Sequence, residues 1–191
     1  LGPLRLHRGD ARPGDWLVTS GAHGLSRLGL ALLQRDAALD ANVALTESLQ
    51  QQAISQHRRP IPRLDALNTL LKNKPEELPW RAAGTDSSDG LLAAVEAICH
   101  TSECGAELRR EGLPRAANWP EGALWDHWCL NGGEDFELVL ALPPSWAQTW
   151  LDHQPHNRHI GWITADSQQI IWNDTRHAVD SGGFDHFGSL P

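Results

Sequence analysis

Two aspartates three residues apart, with hydroxyls between them, stand in Asp86-Ser87-Ser88-Asp89-Gly90-Leu91. Carboxylates are hard oxygen ligands, and Mg²⁺ characteristically takes one or two of them together with substrate phosphates. The run follows Ala82-Ala83-Gly84-Thr85, which reads as a short strand, and precedes Leu91, Leu92, Val95, Ile98 and Cys99 at helical spacing. The acids therefore fall at a helix N-terminus, where free amides suit an anion that a metal could bridge. The same oxygens could instead simply cap the helix.

A second group is Gly132-Gly133-Glu134-Asp135-Phe136-Glu137. Its glycines permit close backbone approach, and its acids could hold a cation or a metal at the start of a strand; a solvated turn feeding that strand is the alternative. A third, Gly182-Gly183-Phe184-Asp185-His186-Phe187, offers a ring on a Gly-rich loop that could stack on a planar heterocycle or plug a C-terminal tail.

Other clusters point to structure. His153, His156 and His159 are interrupted by Pro155, which argues against a helical zinc site. Cys99 lies on the apolar stripe of its helix and reads as a buried thiol. Arg58, Arg59 and Arg63 could meet phosphate or flank a connector. Neither a Walker-type phosphate loop nor a nucleophile-elbow pattern occurs.

The elements that must position these groups follow from periodicity. Trp16 to Ser20 reads as a strand, followed by helices through Leu25, Leu28 and Leu32, through Val43, Leu45 and Leu49, and through Leu64, Leu67 and Leu71. Prolines in His57-Arg58-Arg59-Pro60-Ile61-Pro62-Arg63 make that stretch an extended connector. Phe136 to Leu142 is the clearest strand, buried on both faces towards its end. Ser145 to Gln148 has capping-box spacing for a helix, and Ile160 to Ile163 with Gln169 to Trp172 reads as a hairpin about Asp166-Ser167. Trp119, Trp125 and Trp128 are read as packing.

The chain has 191 residues, 40% hydrophobic and 21% charged, which allows one domain with a core of its own. No apolar run approaches the roughly 20 residues of a membrane-spanning helix. A formal charge of −8 opposes generic nucleic-acid binding and requires local help for any phosphate ligand. Three cysteines form no even framework and no signal-peptide pattern occurs, so a reducing cytoplasm is expected. The chain starts at Leu1 without Met and resembles the middle of a longer protein.

In order along the chain, Ala11-Arg12-Pro13-Gly14-Asp15, Arg59-Pro60-Ile61-Pro62-Arg63, Asp86 to Leu91, Gly132 to Leu138 and Gly183 to Phe187 resemble A-R-P-G-D, R-P-x-P-R, D-x-S-D-G-L, G-G-E-D-Y-E-L and G-Y-D-H-F of the thiamine-monophosphate kinase family. That family sits within the larger group of aminoimidazole ribonucleotide synthetase and selenophosphate synthetase.

The resemblance implies an α/β (α+β) fold, a three-layer domain with a mixed sheet flanked by helices, like the C-terminal domain of aminoimidazole ribonucleotide synthetase. Residues 1–191 would form the single C-terminal domain of a two-domain kinase whose N-terminal ATP-binding domain is absent. It implies ATP- and Mg²⁺-dependent phosphorylation of thiamine monophosphate to thiamine diphosphate, with this chain as the substrate-side half and inactive alone. Another acceptor within the same superfamily, or a non-catalytic ligand-binding domain, are the alternatives. Carried over residue by residue, Asp86 and Asp89 become Mg²⁺ ligands, Ser88 a contact near the nucleotide phosphates, Glu134 and Asp135 the thiamine side, and Phe184 a ring against the substrate. A cytoplasmic homodimer is implied for the full-length protein, with no nucleic acid and no membrane as partners. The chain departs from the family at Leu25, where Ser20 to Ser26 stands for T-G-x-L-G-D-S, and at Phe136 and Phe184, where tyrosine is common.

Overall fold

In the computed structural model, residues 5–39, 43–166 and 169–179 are described. The elements run β1 (Trp16–Thr19), α1 (Leu25–Gln34), α2 (Glu47–Arg58), α3 (Leu64–Lys72), β2 (Ala83–Asp86), α4 (Leu91–Thr101), β3 (Gly105–Leu108), α5 (Ala123–Asn131), β4 (Leu138–Leu142), α6 (Pro144–Asp152), β5 (Arg158–Thr164) and β6 (Ile170–Trp172).

The six strands form one sheet in the order β2-β4-β1-β5-β3-β6. All neighbours are antiparallel except β3 and β6, which run parallel, so the sheet is mixed. Alternating side chains enter opposite faces of a strand, and β4 shows the consequence. Val139 and Ala141 pack with Leu17 beneath α4, which supplies Leu91, Val95 and Ile98. Leu140 and Leu142 pack with Val18 against Ala66 and Leu70 of α3 and Trp146 and Trp150 of α6. Helix, sheet and helix thus make three layers, with the central strands buried on both faces. A third cluster joins α1, α2 and α5 through Leu28, Leu49, Ala53, Trp119, Trp125 and Trp128.

Local chemistry accounts for several boundaries. The Thr46 hydroxyl accepts from the Leu49 amide and starts α2. α6 begins with Pro144 in its first turn, where the missing N–H costs nothing; no side chain caps it, so the Ser145–Gln148 capping box does not form. Helix α2 starts after Val43 and Leu45 and runs on through His57 and Arg58, which shortens the proline connector to Arg59–Arg63. The expected hairpin is replaced by a crossover: β3 lies between β5 and β6 and pairs with both. Strand β3 and helix α5 had no clear periodic signal, because Gly105-Ala106-Glu107-Leu108 lacks β-branched residues and α5 is apolar around most of its circumference.

Candidate functional site

The two acidic motifs are stitched together by three hydrogen bonds, two between main-chain groups and one to the Ser87 hydroxyl. The Ser87 amide donates to the Glu137 carbonyl at 2.9 Å, the Glu137 amide to Ser87 Oγ at 3.1 Å, and the Glu134 amide to the Ser88 carbonyl at 2.7 Å. Ser87 is fully buried at this seam. Glu134 and Phe136 adopt left-handed backbone, φ 69° and 55°, which is uncommon for residues with a Cβ. Gly133, just before them, lets the two loops approach closely, since a Cβ there would stand 2.7 Å from the Ser88 carbonyl oxygen.

The seam forms one wall of a cavity of about 630 Å³, to which Ser88, Asp89, Gly133 and Glu134 contribute. Ser26, Arg27 and Leu30 of α1, His57 of α2, and His127, Trp128 and Asn131 of α5 complete the lining. Glu134 and Asp89 are exposed at the surface of this space and Ser88 is half-buried. Asp86 is exposed at the end of β2, where Thr85 Oγ1 lies 3.4 Å from its Oδ1; it is next to the cavity wall rather than among the lining residues. No side chain caps α4, so the simple capping role open to Asp86, Ser88 and Asp89 is not taken up. Phe184 lies outside the described residues.

Asp135, expected beside Glu134 on the substrate side, is instead wholly buried and turned towards α1. Its Oδ2 accepts from the Gly24 amide at 2.6 Å and its Oδ1 from the Ser26 amide at 2.9 Å. The carboxyl group thereby supplies acceptors for the free amides at the N-terminus of α1, whose own first turn contains no acid. Burial pushes the Asp135 carboxyl up to about 7, against the pull of the Ser26 and Gly24 amides, with the Glu137 charge adding to the rise. Gln56 Nε2 donates to the Asp135 carbonyl at 2.9 Å and pins the last turn of α2 to the same loop.

Glu137 closes the other side. Its carboxylate accepts from the Ser20 hydroxyl and from Arg63 Nη1, which also donates to the Ser20 carbonyl at 2.6 Å. The Arg63 and Glu137 side chains are 13% and 11% exposed, so solvent screens this pair weakly. Burial raises the Glu137 carboxyl above its ordinary range, while Ser20 and Arg63 act in the opposite sense. A Cβ on Gly21 would stand 2.5 Å from Glu137 Oε1, so a side chain there would displace the Glu137 carboxylate from Ser20 and Arg63. Within that loop His23 is fully buried, and burial lowers its pKa to about 4.

Among the described residues no group of three or more His, Cys, Asp or Glu converges as a metal site. Asp86 and Asp89 nonetheless suit Mg²⁺, which needs only one or two protein carboxylates when phosphates and water complete its shell. Both are exposed and neither is in an ion pair among the described residues, so their oxygens are free to serve.

No protein-family model matches the chain. Thiamine-monophosphate kinase of Prochlorococcus marinus is 49% identical over 189 residues, covering 97% of this chain and 56% of that protein. The chain belongs to the thiamine-monophosphate kinase family. The Synechococcus elongatus member is 44% identical over 185 residues, 95% of this chain and 54% of its own length. The chain spans about half the length of the curated relatives it matches. Among solved structures, AaThiL complexed with AMPPCP and TMP superposes with a TM-score of 0.72 at 25% identity, over 95% of this chain and 54% of that one. Escherichia coli HypE, a hydrogenase maturation protein, superposes at 0.64 with 18% identity and shares the fold.

Measured against the thiamine-monophosphate kinase pattern, Leu25 is buried against α2 and α5 where the family tends to place an acid. The amides at the α1 N-terminus keep an acidic partner because Asp135 accepts from two of them. Sequence reasoning missed Ser26, His57, Trp128 and the Glu137–Arg63 pair. Trp128 precedes Gly132 by one helical turn, a proximity that could have marked it. His57 had no such signal, because the adjoining prolines drew it into the connector.

Proposed function

We propose that the protein to which this chain contributes transfers the γ-phosphoryl group of ATP to thiamine monophosphate with Mg²⁺, giving thiamine diphosphate and ADP. The observation that carries the reading is the seam that brings Ser88, Asp89 and Glu134, from two motifs distant in sequence, onto one cavity wall. Membership of the family supports the choice of acceptor. Residues 1–191 are read as the substrate-side domain, with most ATP contacts made by the rest of the protein. A cytoplasmic setting agrees with three free, buried cysteines, and a homodimer of the full-length protein is expected from the family.

In this reading a terminal oxygen of thiamine monophosphate attacks the γ-phosphorus in line. The new P–O bond forms as the bond to the ADP oxygen breaks, and no phosphoenzyme is made. Magnesium, when bound, would offset the repulsion between the two anions. The chain's own part is positioning. Ser87 and Gly133 fix the loop that carries Asp86 and Asp89 to the loop that carries Glu134, and Asp135 fixes both to α1. Ser88 is proposed near the nucleotide phosphates, Glu134 on the thiamine side and Phe184 against the substrate ring.

Asp89→Asn in the full-length protein is expected to lower turnover by about 10²–10³-fold, the scale of removing one preorganised electrostatic contact, and to raise the Mg²⁺ concentration needed for half-activity. Turnover of thiamine monophosphate equal to wild type would remove Asp89 from the site. ADP release with other phosphate acceptors but not with thiamine monophosphate would replace the acceptor.

A further inference from the structure

We propose that His57 is a specificity-determining residue that recognises the aminopyrimidine edge of the acceptor, a proposal that rests on the reading of this cavity as the thiamine monophosphate site. His57 sits in the last turn of α2 and lines the cavity on the side formed by α1 and α2. Its Nδ1 lies 3.0 Å from Ser26 Oγ, and Ser26 is itself 1% exposed with its amide donating to Asp135. The imidazole is therefore held by one nitrogen, and its position is tied through Ser26 and Gln56 to the loop that carries Glu134. Nε2 has no hydrogen-bond partner among the described residues. In the proposed tautomer Nδ1–H donates to the Ser26 hydroxyl, so that Nε2 keeps its lone pair and accepts from the exocyclic amino group of the pyrimidine.

The rest of the lining favours the acceptor over the nucleotide base as the occupant. Trp128 and Leu30 provide apolar surface, and Arg27 stacks 4.5 Å from the Trp128 ring centroid while pairing with Asp36, which fixes that wall. Asp89 and Glu134 face the same space with carboxylates. A thiazolium ring is a permanent cation and a purine is not, so the Glu134 carboxylate complements thiamine and offers nothing comparable to adenine, while Asp89 is left to the metal. The cavity, about 630 Å³, lies in the range that holds a small organic ligand, and the proposed pose sets the pyrimidine towards His57 and the phosphate, with its magnesium, towards Asp89.

The test uses the full-length protein and two acceptors, thiamine monophosphate and its analogue with hydrogen in place of the pyrimidine amino group. Wild type is expected to bind the analogue about five- to tenfold more weakly, the scale of one hydrogen bond lost. His57→Ala should weaken binding of thiamine monophosphate by a similar factor, leave the KM for ATP unchanged, and abolish the discrimination between the two acceptors. His57→Gln, which keeps a donor and an acceptor, should recover part of it. Equal binding of both acceptors by wild type overturns the proposal without needing a variant to fold. So does discrimination that persists in His57→Ala, or a change confined to the KM for ATP. Failure of wild type to phosphorylate thiamine monophosphate at all would instead refute the reading of the site.

Discussion

Asp135 Oδ1 accepts from the backbone amide of Ser26 at 2.9 Å, so the second acid of the Gly132–Glu137 motif serves as a helix cap for α1. This bond joins the loop bearing Glu134 to the helix whose Ser26 holds His57. Acid, helix and imidazole consequently share one mechanical frame.

The pH dependence of stability follows from two buried groups of opposite sense. The folded pKa of Asp135 is raised to about 7, so its contribution to stability is full below the unfolded carboxylate pKa and is lost as pH rises through about 7. The folded pKa of His23 is lowered from 6.5 to about 4, so its contribution is full above 6.5 and is lost as pH falls towards 4. Between these limits the two slopes oppose each other, each at most about 1.4 kcal/mol per pH unit. Relative to wild type, Asp135→Asn should tilt the profile towards greater stability at higher pH, and His23→Asn towards lower. Urea titrations of the chain at half-unit pH steps measure both tilts, and parallel profiles for all three proteins would contradict these assignments.

Arg63 and Glu137 illustrate how a buried pair fails when halved. Arg63→Met leaves the Glu137 carboxylate with the Ser20 hydroxyl but no cation, and is expected to cost about 3 kcal/mol or more. Arg63→Met combined with Glu137→Leu should be less damaging than the sum of the single changes. A double-mutant cycle in denaturant reads the coupling; additivity within about 0.5 kcal/mol would show that the pair does not interact.

Gly133→Ala tests the seam itself. The new methyl would meet the Ser88 carbonyl oxygen at 2.7 Å and push the loop bearing Asp86 and Asp89 away from the loop bearing Glu134. Stability should fall by about 1–3 kcal/mol, as for overpacking elsewhere, and turnover of the full-length protein should fall by more than the loss of folded protein explains. Unchanged turnover per folded molecule would mean that the spacing of the two loops does not matter for the reaction.

Much of the fold was legible because burial writes itself into sequence as period. The run Phe136–Leu142 announced a strand covered on both faces towards its end, and the strand that forms, Leu138–Leu142 after the left-handed Phe136, has α4 on one side and α3 with α6 on the other. The order of strands was not legible. Ile160–Ile163 and Gln169–Trp172 are adjacent in sequence and suggest a hairpin, yet β3 enters between β5 and β6, with Gly105 allowing a close approach: a Cβ there would meet the Gln169 carbonyl oxygen at 2.6 Å.

The sequence by itself determined the family, the strand-to-helix placement of Asp86–Asp89 and the acids available to the proposed site, since residue type and spacing carry that information. Only the tertiary structure decided which acid faces what. Glu134 meets the cavity and Asp135 turns into the protein because the chain between Gly133 and Glu137 passes through two left-handed residues, which breaks the simple alternation a strand would impose. His57 and Trp128 joined the site for the same kind of reason. Their roles depend on which surfaces α1, α2 and α5 present to one another, and packing between distant segments sets that rather than local propensity.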